Sequence, residues 1–130
     1  MADFLFLDDF RMPIDAFYYT ANPLYTKTEW VIVRDYDQFV QYINEHGLPA
    51  LISFDHDLAD THYDELNGIA VIDYDNLTEK TGYDCARWLI EYCFDHDNMP
   101  LPNYLIHSMN RVGAKNISSL LENYNKHIKE

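Results

Sequence analysis

With 130 residues, 48% of them apolar and 15% aromatic, the chain is long enough to bury a core without disulfides, and its composition is far from that of disordered segments. A formal net charge of −13 with nine Lys and Arg excludes a broad nucleic-acid surface, which needs clustered cations, although a nucleic-acid end can still enter a metal site. The absence of a membrane-length apolar run and the acidic N-terminus predict a cytoplasmic protein of one domain over 1–130, with no membrane partner.

The first apolar run, Phe4–Leu7, reads as a strand buried on both faces, and it empties into Asp8-Asp9. From Met12 to Glu29 polar and aromatic residues mix without period, with a turn at Asn22-Pro23, so an irregular connection or one poor helical turn is expected. Trp30–Val33 reads as the second strand. Asp35 or Asp37 can cap a helix carrying Phe39, Val40 and Ile43, which Gly47 ends. Ala50–Phe54 is the third strand and runs directly into Asp55-His56-Asp57.

Residues 59–80 form a long acidic insertion in which 68–74 fit a small hairpin arm, and such lengths usually serve as a lid or binding loop. Thr81-Gly82 introduces a helix whose apolar face holds Ala86, Leu89, Ile90 and Cys93. Cys85 and Cys93 stand about 12 Å apart at helical rise, too far to bridge, and read as reduced core thiols. Tyr104–Ile106 is a short fourth strand leading into His107-Ser108-Met109-Asn110. Ile117, Leu120, Leu121, Tyr124 and Ile128 then mark a final amphipathic helix.

Alternating strands and helices predict an α/β fold with a parallel sheet in the order 2-1-3-4. Ligands of such sheets bind beyond the carboxyl ends of the strands where the order reverses, here between the first and third strands. Asp8, Asp9, Asp55 and Asp57 therefore converge, with His107 and Ser108 arriving from the fourth strand. Gathered carboxylates repel one another and invite a compensating cation, so Mg²⁺ or Mn²⁺ is the expected cofactor; His56 and His107 as further ligands would shift the preference toward Mn²⁺, Fe²⁺ or Zn²⁺.

Each residue also has a plainer reading. An Asp after a strand caps turns and helices, which applies above all to Asp9 and Asp57. His56 could be a buried, satisfied histidine, and His107-Ser108 could simply lead into a helix capped by Ser108 or Asn110. Arg11 could pair a phosphate or neutralise Asp8 or Asp9. No glycine-rich phosphate loop, CxxC pair or GxSxG elbow is present.

Four segments together, Leu7-Asp8-Asp9-x-Arg11-x-Pro13, Ser53-Phe54-Asp55-His56-Asp57-Leu58, Thr81-Gly82-Tyr83-Asp84 and His107-Ser108-x-Asn110-x-x-Gly113, resemble the cyclic-phosphate processing receiver domain, a divergent relative of response-regulator receivers. The resemblance implies a three-layer, flavodoxin-like receiver fold. It also implies that Asp8 and Asp9 match the acidic pair for Mg²⁺, Asp55 the phospho-accepting aspartate and Ser108 the switch hydroxyl. The fifth strand and its phosphate-binding lysine have no counterpart, and Lys115 is a poor substitute, which argues against ordinary phosphorelay signalling. His56, Asp57 and His107 add ligands or proton-transfer groups instead.

The expectation is a metal-dependent phosphoesterase acting on a cyclic phosphate, such as an RNA 2′,3′-cyclic phosphate end or a cyclic nucleotide. Asp8, Asp9, Asp55 and Asp57 are the candidate metal ligands, and His107, His56, Asp55 and Ser108 the candidate catalytic groups. Arg11 and Asn110 would contact substrate. Two other classes stay open: a non-catalytic receiver-like module binding metal or a phosphorylated ligand, and a small acidic inhibitor or interaction protein, whose size and tyrosine content would suit a viral origin, that blocks a nucleic-acid-binding protein partner.

Overall fold

The computed structural model describes residues 3–57, 63–64, 69–70 and 81–129. Strand β1 (Phe4–Leu7) lies between β2 (Val31–Val33) and β3 (Leu51–Phe54), and β6 (Asn103–Ile106) pairs with the far side of β3. All three ladders are parallel, giving the order β2-β1-β3-β6. This is the 2-1-3-4 order expected from the sequence, β6 being the fourth predicted strand. β1 is a continuous apolar run, and β3 is apolar but for Ser53, because helices cover the sheet on both faces.

Side chains alternate across that sheet. Leu5, Leu7, Ile52 and Phe54 point to the larger core, where they meet Phe39 and Ile43 of α3 (Tyr36–His46), Leu89 and Cys93 of α4 (Gly82–Asp95), and Ile117 and Leu121 of α5 (Arg111–Lys129). Fully burying each of these Leu, Ile and Phe side chains contributes roughly 1.5–3 kcal/mol. Phe6 points the other way, into a smaller aromatic core with Ala16, Tyr25 and Trp30. Cys85 and Cys93 are free thiols in the larger core, and burial pushes the Cys93 thiol up to about 11.

The caps follow the chemistry of the sequence. Asp35 accepts from Gln38 N at 2.8 Å to start α3, and Gly47, at φ +83°, ends it. Thr81 and Asp84 form a reciprocal capping box at the start of α4.

The stretch 12–29 is more ordered than its irregular pattern predicts. It contains α1 (Pro13–Thr20) and the short α2 (Leu24–Lys27). Pro13 presets the helical φ at the first position and Asp15 accepts from Met12 N at 2.8 Å. Ala16 is α1's buried residue, so the exposed aromatics around it hide the period. Of the 59–80 insertion, β4 (Tyr63–Asp64) pairs antiparallel with β5 (Ile69–Ala70); the rest of the hairpin arm expected over 68–74 lies outside the described residues. No helix among the described residues is long and apolar enough to cross a membrane.

Helix α4 begins pressed against the end of β3. Gly82 N donates to His56 O at 2.7 Å, and a Cβ on Gly82 would stand 1.8 Å from the Asp55 carbonyl oxygen. Gly82→Ala must displace backbone rather than a flexible side chain, so it should destabilise by roughly 2–4 kcal/mol in urea denaturation; a loss under about 0.5 kcal/mol would contradict this packing.

Candidate functional site

The sheet register itself assembles the site. Leu7, Phe54 and Ile106 share one row of the sheet and point to the larger core. Each ladder continues one residue further: Asp8 N donates to Val33 O, Asp55 N to Leu7 O, and His107 N to Phe54 O, at 3.0–3.1 Å. Asp8, Asp55 and His107 therefore form the next row, pointing to the opposite face, at the carboxyl ends of three adjacent strands. They are 0%, 2% and 1% exposed, and a potential ligand atom from each lies within 4.8 Å of the others.

Asp8 and His107 meet across the intervening strand. Asp8 Oδ2 lies 2.9 Å from His107 Nε2, while Asp8 Oδ1 accepts from the backbone N–H of Phe10 at 3.0 Å and of Arg11 at 2.8 Å. Burial raises the Asp8 carboxyl, but hydrogen bonds from His107, Phe10 and Arg11 outweigh it and hold the group below its ordinary value. Burial likewise lowers His107, against the pull of Asp8, and favours the neutral ring.

A neutral imidazole has one N–H, and an ionised carboxylate only accepts, so Nε2 carries the hydrogen and Nδ1 is bare. Nδ1 then accepts from Ser53 Oγ at 2.6 Å, and Ser53 Oγ in turn accepts from Tyr25 OH at 2.7 Å. Burial keeps the Tyr25 phenol protonated and able to donate. The result is a one-directional chain, Tyr25 to Ser53 to His107 to Asp8. Phe6 stacks on the imidazole at 4.4 Å between centroids, and Tyr19 OH donates to the His107 carbonyl.

Above this row is a cavity of about 200 Å³ lined by Asp9, Phe10, Arg11, Asp55, Asp57, Met109 and Asn110. Asp55 lies at its base, where burial and the neighbouring Asp8 and Asp9 raise its carboxyl to about 7, with Arg11 and the Ser108 hydroxyl pulling it back. Arg11 stands 3.8 Å from Asp8 Oδ2. Arg34 braces the loop beneath by donating to Arg11 O at 2.6 Å and Asp8 O at 3.2 Å.

On the far wall His56 Nδ1 lies 2.8 Å from Asp57 Oδ1, to which Asn110 Nδ2 donates at 3.3 Å. Asn110 Oδ1 accepts from Gly113 N at 2.9 Å, so Asn110 rather than Ser108 caps α5. Gly113 leaves room for His56: a Cβ there would come within 2.3 Å of the imidazole.

A model of the cyclic-phosphate processing receiver domain matches residues 4–123. The chain belongs to that family. No curated protein and no solved structure matches it significantly.

The structure brings the residues singled out from this receiver domain's sequence to one end of the sheet, but at different depths. Arg11, Asp9, Asp55, Asp57 and Asn110 line the cavity, and Ser108 hydrogen-bonds Asp55. His107 is buried behind Asp8, and His56 lines a separate cleft of about 510 Å³ with Thr81 and Tyr83. Sequence reasoning missed Ser53, Tyr25 and Arg34. Ser53 did carry a signal, as the one hydroxyl inside an otherwise apolar strand; Tyr25, in a stretch without period, carried none.

Asp55 has a folded-state pKa of about 7 against an ordinary 3.8. A raised carboxyl favours folding below pH 4, and that contribution is lost as pH rises through 7. Without metal, Asp55→Asn should therefore match the natural protein in stability near pH 4 and exceed it by on the order of 4 kcal/mol at pH 8. Urea midpoints across that range test this, and a gap that shrinks with rising pH would contradict it.

Proposed function

We propose that this receiver domain is a metal-dependent phosphoesterase that opens a cyclic phosphate ester, with RNA 2′,3′-cyclic phosphate ends as the leading substrate. The observation that carries the reading is the buried Asp8–Asp55–His107 row beneath a cavity that also holds Arg11. Asp55, raised to about 7 by burial and by adjacent carboxylates, is a group whose ionised form a cation would relieve.

The donor set fits a hard divalent ion. With Nε2–H engaged by Asp8, His107 is not a ligand in this tautomer, which leaves carboxylate oxygens from Asp8 and Asp55, with Asp9 beside them. Oxygen ligands suit Mg²⁺ or Mn²⁺ over Zn²⁺. Such an ion supplies Lewis-acid polarisation of the phosphoryl group and a lowered pKa for bound water.

The protein's own groups divide the remaining work. Asp8 and Asp55 would hold the ion, and His107 orients Asp8 as an outer hydrogen-bond partner. The Arg11 guanidinium pairs with non-bridging phosphoryl oxygens. Asp57, fixed by His56 and Asn110, accepts the proton of the attacking water as its oxygen bonds to phosphorus. The ester P–O bond breaks, its oxygen takes up a proton, and one water is consumed overall. Asp57 thus takes the proton-transfer role that the sequence reading gave to His107 or His56.

The Ser108–Asp55 hydrogen bond favours one other reading, a receiver-like module that binds a phospho-ligand without turnover. A stable acyl phosphate on Asp55 with no hydrolysis would select it.

The phosphoesterase reading is tested with an RNA oligonucleotide ending in a 2′,3′-cyclic phosphate. Turnover with Mg²⁺ or Mn²⁺ should vanish in EDTA, and Asp55→Asn should abolish it. His107→Ala should lower activity by about 10–100-fold, with weaker metal binding. No turnover with either ion would overturn the proposal, and full activity in Asp55→Asn would overturn the site assignment.

A further inference from the structure

The cavity is small and open to solvent. Its volume of about 200 Å³ corresponds to roughly seven waters at about 30 Å³ each, enough for a cyclic phosphate and part of a sugar. The rest of the substrate meets a rim that, beside the exposed carboxylate of Asp57, carries two large apolar side chains: Phe10 and Met109 line the cavity yet are 57% and 64% exposed. Large apolar side chains left in water at the mouth of a charged site are more informative than isolated surface ones.

Both are tied to the phosphate-facing cation. The Arg11 guanidinium lies over the Phe10 ring, 4.9 Å from its centroid, and Arg11 Nη2 reaches Met109 Sδ at 3.4 Å. Arg11 also sits 5.7 Å from the Tyr19 ring centroid. The contact with Arg11 uses one part of Phe10's surface and leaves the rest to a ligand. A planar aromatic group attached to the cyclic phosphate would stack there, as bases stack on exposed aromatics in single-strand binding proteins.

We infer that Phe10 and Met109 form a nucleobase-stacking subsite on the cavity rim, so that the substrate is a nucleoside cyclic phosphate rather than a base-free cyclic phosphate. The inference rests on the phosphoesterase reading for the placement of the phosphate, but it concerns a separate surface. The base is held by stacking and by sulfur contact, with no hydrogen-bonding group assigned to its edge, so purines should be preferred over pyrimidines for their larger face.

The test compares adenosine 2′,3′-cyclic phosphate with glycerol 1,2-cyclic phosphate, in Mg²⁺ or Mn²⁺, by turnover and by calorimetric binding to Asp57→Asn protein, which keeps both proposed metal ligands. The natural protein should prefer the adenosine ligand. Phe10→Ala should cut that preference by about 10–100-fold, Met109→Ala by less, and Phe10→Trp should restore it. A preference that survives both alanine variants, or no preference at all, overturns the subsite. Hydrolysis of both ligands without discrimination would leave the phosphoesterase reading standing and sink only the subsite. Phe10-sensitive binding of the adenosine ligand without hydrolysis would do the reverse, and neither binding nor turnover would sink both.

Discussion

An ionised carboxylate with no solvent exposure costs several kcal/mol unless donors replace the water it has lost, and the site is arranged around meeting that cost for Asp8. Two backbone N–H groups fold the loop after β1 back onto Oδ1, and His107 supplies the donor to Oδ2 from two strands away. The hydrogen bond therefore does more than neutralise a charge. It ties the exits of β1 and β6 together over Asp55, which lies between them, and it dictates the tautomer of the imidazole. From that tautomer follows the direction of the chain through Ser53 and Tyr25, which reaches into the smaller core. Removal of any one donor leaves a buried acceptor or charge unmet, so the network behaves as a unit rather than as separable contacts.

The same arrangement separates the two buried carboxyls. Asp8, with its donors, is held below the ordinary carboxylate range, while Asp55, crowded by Asp8 and Asp9, is raised to about 7. One carboxylate is thus charged at neutral pH and the other is poised to bind either a proton or a cation. Pairs of titratable groups driven apart by their surroundings are characteristic of functional sites. Here the separation comes from the sheet register, which places Asp8, Asp55 and His107 in one row while their hydrogen-bond partners differ.

The fold was legible because its signals are local. The apolar run at Phe4–Leu7, the strand Leu51–Phe54 with its single hydroxyl, caps at Asp35 and Thr81, and the stop at Gly47 each have a direct physical meaning, and the alternation of elements set the sheet order. The convergence of Asp8, Asp55 and His107 followed from that order. What could not be read was depth. Strand-end position alone does not say that His107 lies beneath Asp8 while Asp57 faces the cavity, because that depends on ring packing against Phe6 and on the turn made by the residues after β3. Helix α1 was missed for a related reason: Ala16 is its buried residue, so no apolar stripe repeats, and its start depends on Pro13 and Asp15.

The arrangement of the site turns on the state of one imidazole. Nitrogen-detected NMR of His107 in protein labelled with ¹⁵N-histidine, at neutral pH without metal, reads that state directly. The structure predicts a neutral ring protonated at Nε2, with Nδ1 shifted as a hydrogen-bond acceptor by the Ser53 hydroxyl and altered on Ser53→Ala. An imidazolium, or a neutral ring protonated at Nδ1, would mean that Asp8 is not held as described and that His107 is free to ligate a metal or to carry protons itself.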